Sequence, residues 1–98
     1  MESTLILIKE YCAQCHVEHT FVQSLQDEGL IDITVIADER YLPEEQLEDL
    51  EQFRRWYYDL HINIEGIDAL RHLVRKVNHM QQEIKSLKNR LRLHEEGW

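Results

Sequence analysis

The chain has 98 residues, 43% hydrophobic, with three Gly and one Pro, enough for one small core and against a loop-rich fold. Its net charge of −8 sits wholly in the first part: Met1–Leu60 holds 14 acids against 4 Lys or Arg (−10), and His61–Trp98 holds 5 against 7 (+2). Such a balance argues against a polyanion as partner over the first sixty residues, because affinity for phosphates rests on Lys and Arg, and it favours a basic protein surface.

Leu5-Ile-Leu-Ile8 is a short apolar run that predicts a small strand or extended lead-in. Residues 8–30 then have the shape of a helix-turn-helix. A first helix is expected over Ile8–Cys15, a turn at His16 and Val17, and a second helix over Glu18–Glu28, stopped by Gly29. Tyr11, Val17, Val22 and Leu25 fall on its inward faces. The second helix is the one that reads DNA when this motif is a DNA reader, yet it carries Glu18, Asp27 and Glu28 and no Lys or Arg.

Ile31–Ile36, rich in β-branched residues, reads as a strand, Ala37–Glu39 as a turn and Arg40–Leu42 as the returning strand. Together they make a two-stranded wing. Pro43 suits the first turn of a third helix with Glu44 and Glu45 at its positive end. Leu47, Leu50, Phe53, Trp56 or Tyr57, and Leu60 recur at helical spacing and predict a buried stripe. The opposite face shows Glu44, Glu45, Glu48, Glu51 and Arg55.

Asn63 is the expected N-cap of a last helix reaching the low nineties. Leu70, Leu73, Val77, Met80, Ile84, Leu87, Leu91 and His94 alternate at spacings of three and four, the a and d positions of a coiled coil. One helix cannot bury that seam alone. Lys76, Glu83, Lys88, Arg90 and Glu95 at g and e allow complementary pairs between chains, so a homodimer is expected; the bland alternative is a helix folded back on its own domain. Val77 and Ile84 at a with Leu73 and Leu87 at d favour a parallel pair by side-chain shape. The chain thus divides into a winged-helix domain over 1–62 and a dimerisation helix with a short tail over 63–98.

The layout resembles the DNA-binding half of MerR-type regulators: a strand, a helix-turn-helix ending in Glu28-Gly-Leu30, a wing ending in Arg40-Tyr41, a third helix opening on Pro43-Glu-Glu, and Leu60-His-Ile-Asn-Ile-Glu-Gly-Ile67 leading into the last helix. Within that group, the short length, the lack of an effector domain and the stretch Met80-Gln-Gln-Glu-Ile-Lys-Ser-Leu-Lys-Asn-Arg-Leu91 look most like the CbpM family of chaperone modulators. That resemblance implies a mainly α, MerR-like winged helix-turn-helix. It also implies binding to the J-domain of a DnaJ-like co-chaperone of the CbpA type, whose activity is restrained, and an antiparallel dimer. MerR readers typically carry Arg and Tyr on the second helix, where this chain has Thr20-Phe-Val-Gln23-Ser24-Leu. An acidic surface suits a J-domain, which turns a basic helical face to its Hsp70 partner. The candidate contact residues are Asp38 and Glu39 in the wing and Glu44, Glu45, Glu48 and Glu51 on the third helix; each also fits a merely solvated face. A DNA-binding regulator is the competing reading.

Cys12-Ala-Gln-Cys15-His16 matches the pattern for covalent haem attachment, but that chemistry belongs outside the cytoplasm, and with no apolar leader a cytoplasmic protein with reduced thiols is expected. Cys12, Cys15, His16 and His19 lack the intervening loop of a zinc finger, and the pair lacks the setting of a thioredoxin-type Cys-x-x-Cys. The resemblance places both thiols where relatives carry small residues, so they read as small hydrophobes. No spacing assembles a nucleophile, base and orienting acid, and there is no phosphate loop, so neither a metal, a cofactor nor an enzyme activity is expected. His94 reads as the end of the coiled coil rather than a pH sensor. Trp56 reads as core, with one ring of Trp56-Tyr57-Tyr58 left as a possible interface anchor.

Overall fold

In the computed structural model, which describes residues 4–96, the first apolar run, Leu5–Leu7 (β1), finds its partner far along the chain. It pairs antiparallel with Glu39–Pro43 (β3), Leu5 opposite Pro43 and Leu7 opposite Tyr41. Thr34–Ile36 (β2) pairs with the other side of β3, so the sheet order is β1-β3-β2. The two-stranded wing expected from the sequence is the β2–β3 hairpin, and β1 extends it to three strands. The Glu44 N–H donates to the Thr4 carbonyl at 2.9 Å and continues the β1–β3 ladder past Pro43. A two-residue turn closes the hairpin, with Ala37 (φ 52°) and Asp38 (φ 65°) both left-handed, the backbone of a type I′ turn. β2 is shorter than the six residues expected: Ile31 is buried in the core and only Thr34–Ile36 pair, all of them exposed.

Two helices lie between β1 and β2 in sequence. Ile8–Cys15 (α1) ends where His16 turns left-handed and Val17 donates back to the Cys12 carbonyl at 3.0 Å. His19–Asp27 (α2) ends the same way at Gly29, φ 74°, with Gly29 donating to Gln26 and Leu30 to Leu25, both at 2.9 Å. In each case a hydrophobic residue just past the left-handed one, Val17 or Leu30, is buried, as this capping motif favours. The amphipathic faces meet in one core that includes Ile8, Tyr11, Phe21, Val22, Leu25, Leu42, Leu50, Phe53 and Ile67. Burying apolar side chains of this size contributes about 1.5–3 kcal/mol each before conformational entropy is subtracted.

The third helical segment corrects three expectations. Pro43 belongs to the end of β3 and precedes a 3-10 turn, Glu44–Gln46, rather than opening the α-helix, Leu47–Arg54 (α3). The Gln46 side chain turns back to accept the Asp32 N–H at 2.8 Å, fixing the turn to the start of the wing. Beyond Arg54 the chain widens into a π turn, Arg55–Asp59, in which the Leu60 N–H reaches the Arg55 carbonyl five residues back, at 3.2 Å. That extra residue in the turn shifts the phase of the stripe. Leu47, Leu50 and Phe53 face inward, but Leu60 is 61% exposed. Trp56, Tyr57 and Tyr58 all pack against the core as half-buried rings, so none of the three is the freely exposed anchor that the aromatic run allowed.

The last helix is Ile64–Glu96 (α4). Asn63 caps it: its side-chain oxygen accepts the Gly66 N–H at 2.7 Å, and its carbonyl accepts the Ile67 N–H at 2.9 Å. By contacts the chain divides into two compact units, Met1–Asp68 and Ala69–Trp98. The second consists of α4 beyond its first turn, and from Arg75 to Glu95 every residue is exposed.

Candidate functional site

The surface of the first unit is built by α2, the wing and α3. On α2, Phe21, Val22 and Leu25 are taken up by the core, so the Thr20–Leu25 stretch offers outward only Thr20 and, in part, Gln23 and Ser24. Phe21 packs against two rings of the π turn, tilted on Tyr57 at 4.6 Å and edge-on to Tyr58 at 5.3 Å, and those two rings touch each other at 5.0 Å. The Tyr58 hydroxyl accepts the Glu18 N–H, one of the unpaired donors at the start of α2, at 3.1 Å. The polar side chains on the open face bond to one another: Gln23 donates to Gln26 (3.1 Å) and Asp27 (3.0 Å), and Thr20 donates to Glu18 (3.2 Å). No cation stands on this helix.

The six candidate acids fall into separate places. Asp38 and Glu39 occupy the wing tip, both exposed. They line a shallow recess of about 240 Å³ together with Ile8, Lys9, His19 and Arg40, so two of the four bases of the first sixty residues stand beside them. Glu44, Glu45 and Glu48 are exposed at the other end of β3, a strand length or roughly 15 Å away. Glu51 is different. It is half-buried and accepts from Arg54 through Nε at 2.8 Å and again through Nη2.

The Glu51–Arg54 pair lies beside Tyr11, whose hydroxyl is buried next to the guanidinium without a well-formed hydrogen bond. Burial first, and the Glu51 charge second, hold the Tyr11 phenol well above its ordinary value, while the hydrogen bond that Arg54 donates to Glu51 raises the guanidinium further. Glu51 therefore serves the fold, which its position in a helical charge stripe did not disclose. Cys12 is buried and its thiol is pushed up by burial, an effect offset in part by the Arg40 guanidinium. Cys15 is half-buried and packs against the core. A raised thiol is a poor nucleophile and metal ligand. Among the described residues, no group of three or more His, Cys, Asp or Glu is placed to hold a metal ion, and no helix is long and apolar enough to cross a membrane.

On the second unit, Leu73, Val77, Met80, Ile84, Leu87 and Leu91 are each 50–59% exposed, and Leu70 is half-buried. They share one stripe of α4.

Residues 6–89 match the family model described as MerR HTH family regulatory protein. The chain belongs to that family. The match takes in the sheet, the helix-turn-helix, α3 and most of α4, so the MerR assignment covers both units. No curated protein and no solved structure matches this MerR-family chain. Its mainly helical fold with a small antiparallel sheet and a long last helix is the one the sequence predicts.

Proposed function

We propose that this MerR-family protein is a cytoplasmic chaperone modulator of the CbpM type, a homodimer that binds the J-domain of a DnaJ-like co-chaperone and restrains it. One observation carries the reading: α2 and the wing tip, the elements with which a helix-turn-helix of this kind reads DNA, present Asp27, Asp38 and Glu39 and, on α2, no Lys or Arg. Exposed Glu44, Glu45 and Glu48 add a second acidic area on the same unit. A J-domain's basic helical face is complementary to such a surface, and covering that face blocks its use by Hsp70. Glu51, half-buried and paired with Arg54, is a less open contact than the other five candidate acids. The exposed apolar stripe of α4 supports the homodimer, since six half-exposed hydrophobes at a and d spacing are what a second helix covers.

The competing reading, a DNA-binding regulator, is favoured by the family description and by Lys9 and Arg40 beside the wing tip. Calorimetric titration with the J-domain and with duplex DNA, at low and high salt, separates the two. Salt-sensitive binding to the J-domain alone, weakened at least tenfold by the combined reversals Glu44→Lys, Glu45→Lys and Glu48→Lys, is the expected result. Binding to DNA without binding to the J-domain overturns the modulator reading.

A further inference from the structure

We propose that the groove between the end of α2, the π turn and the start of α4 receives a single Lys or Arg side chain of the protein partner, held by Asp27, Glu28 and Glu65 beside the ring of Tyr57. This rests on the modulator reading and adds to it a contact that none of the six candidate acids makes.

The groove is a recess of about 300 Å³ lined by Asp27 and Glu28 of α2, by Tyr57, and by Asn63, Ile64 and Glu65 where α4 begins. Its lining holds three carboxylates and no Lys, Arg or His. A second recess, of about 390 Å³, shares Tyr57 and Asn63 with the first, and there Tyr58 and Ile62 add apolar wall beside His61. Both recesses lie within the first unit.

Asp27 and Glu28 oppose the helix they end. The C-terminal end of a helix is the negative pole of its dipole, which favours cations and disfavours carboxylates. Asp27 is the final residue of α2 and Glu28 its C-cap, and the last turn carries no basic residue. The Gln23 amide donates to one Asp27 oxygen at 3.0 Å, a bond from a neutral group that leaves the charge in place. A cation brought in beside the two acids supplies what this helix end lacks. Glu65 differs, because it stands in the first turn of α4, where the dipole favours it. Residues that break a local rule without a gain to the fold concentrate at functional sites.

The walls select the kind of cation. Among the described residues, no group of three or more His, Cys, Asp or Glu is placed to hold a metal ion. Half-buried Tyr57, Ile62 and Ile64 instead set apolar surface next to the carboxylates. A Lys or Arg side chain has the matching make-up, an apolar stem with a charged head, and its head gains further from an aromatic face. The groove is also formed in advance. Tyr57 packs on Phe21 at 4.6 Å and on Tyr58 at 5.0 Å, and the Ile62 N–H donates to the Trp56 carbonyl at 2.9 Å. Groups fixed in this way lose little freedom when a partner binds.

Calorimetric titration of the full-length chain with the J-domain at low salt tests this, comparing the wild type with the double variant Asp27→Asn, Glu28→Gln. Asn at position 27 keeps an oxygen for Gln23. Neutralising two acids at a helix C-terminus should leave Tm unchanged or raised, whereas J-domain binding should weaken about tenfold. Undiminished binding overturns the groove and leaves the modulator reading in place. Weaker binding accompanied by a lower Tm also overturns it, since the acids would then serve the fold. If the J-domain does not bind the wild type, the modulator reading fails and a second probe decides the groove. That probe is Nα-acetyl-arginine amide, with Nα-acetyl-citrulline amide as its neutral counterpart, followed through the aromatic NMR signals of Tyr57. Shifts with the arginine probe alone, lost in the double variant, uphold the site; no shift, or the same shift with both probes, overturns it.

Discussion

The Tyr58 hydroxyl accepts the backbone N–H of Glu18 at 3.1 Å, joining the π turn to the start of α2 across forty residues of chain. The same ring packs edge-on against Phe21 of α2, 5.3 Å between centroids. The helix that would read DNA is thus held at its first turn by a side chain from the far side of the wing. Tyr58→Phe keeps the ring and removes only the acceptor. The expected cost is about 0.5–1.5 kcal/mol in urea unfolding, toward the low end because solvent reaches this N–H.

Ala37 pays for a left-handed backbone at the wing turn without the side-chain oxygen that makes Asn tolerant of it. Ala37→Asn is expected to stabilise the protein by about 0.5–1 kcal/mol and raise Tm, with binding to any partner of α3 unchanged. Thermal unfolding of the single variant checks it; a lower Tm would mean that the turn is not type I′.

The cap of α4 depends on a glycine. A Cβ on Gly66 would come within 2.8 Å of Ile62 Cγ2 and 2.9 Å of the Asn63 side-chain oxygen that caps this same residue. Asn63→Ala is expected to cost about 1 kcal/mol and Gly66→Ala a similar amount or more. The double variant should cost less than the sum, because either change alone displaces the capping oxygen; additive losses would show that the glycine matters for another reason.

Alkaline pH should destabilise the protein through two buried groups. Tyr11 and Cys12 are both raised in the folded state, chiefly by burial, from ordinary values of 10.0 and 9.0. Their contribution is fully present below those values. As pH climbs past them the unfolded chain loses protons that the folded chain retains, and stability falls. Tyr11→Phe should leave stability near neutral pH within about 0.5 kcal/mol, since the hydroxyl makes no well-formed hydrogen bond, and should flatten the loss above pH 10.0. A variant that falls as steeply as the wild type would place the titration elsewhere.

Ile84→Lys puts a charge in the middle of the α4 stripe. Since Ile84 is 52% exposed in the single chain, the fold of the first unit should be unaffected. The dimer should dissociate by tenfold or more at equal concentration. Unchanged sedimentation would mean that the stripe is not the dimer seam.

Local signals were legible in the sequence wherever one residue decides the backbone. Gly29 closing α2 and Asn63 opening α4 are such cases, and so are the limits of α1. Three features were not legible because they depend on partners distant in sequence or on phase. Leu5–Leu7 carries no mark that its neighbour is Pro43 rather than the adjacent hairpin. The π turn keeps an ordinary helical composition, so periodicity carried the buried stripe through to Leu60. Among the acids, exposure follows spacing for Glu44, Glu45 and Glu48, whereas Glu51 is diverted to Arg54 by the neighbouring Tyr11 on α1. The bases at the wing tip were missed for a related reason: Lys9 and Arg40 come together only once β3 is seated beside β1.

The sheet order also sets a timetable for the nascent chain. Leu5 must wait for Pro43, 38 positions later, before its ladder can form. At about 5–20 residues per second of synthesis, an apolar strand with open hydrogen-bonding edges stays unpaired for roughly 2–8 s. During that interval α1 and α2 have been made but the floor they rest on has not. A protein proposed to restrain a co-chaperone thus has, in its own first strand, the sort of segment that chaperones shelter.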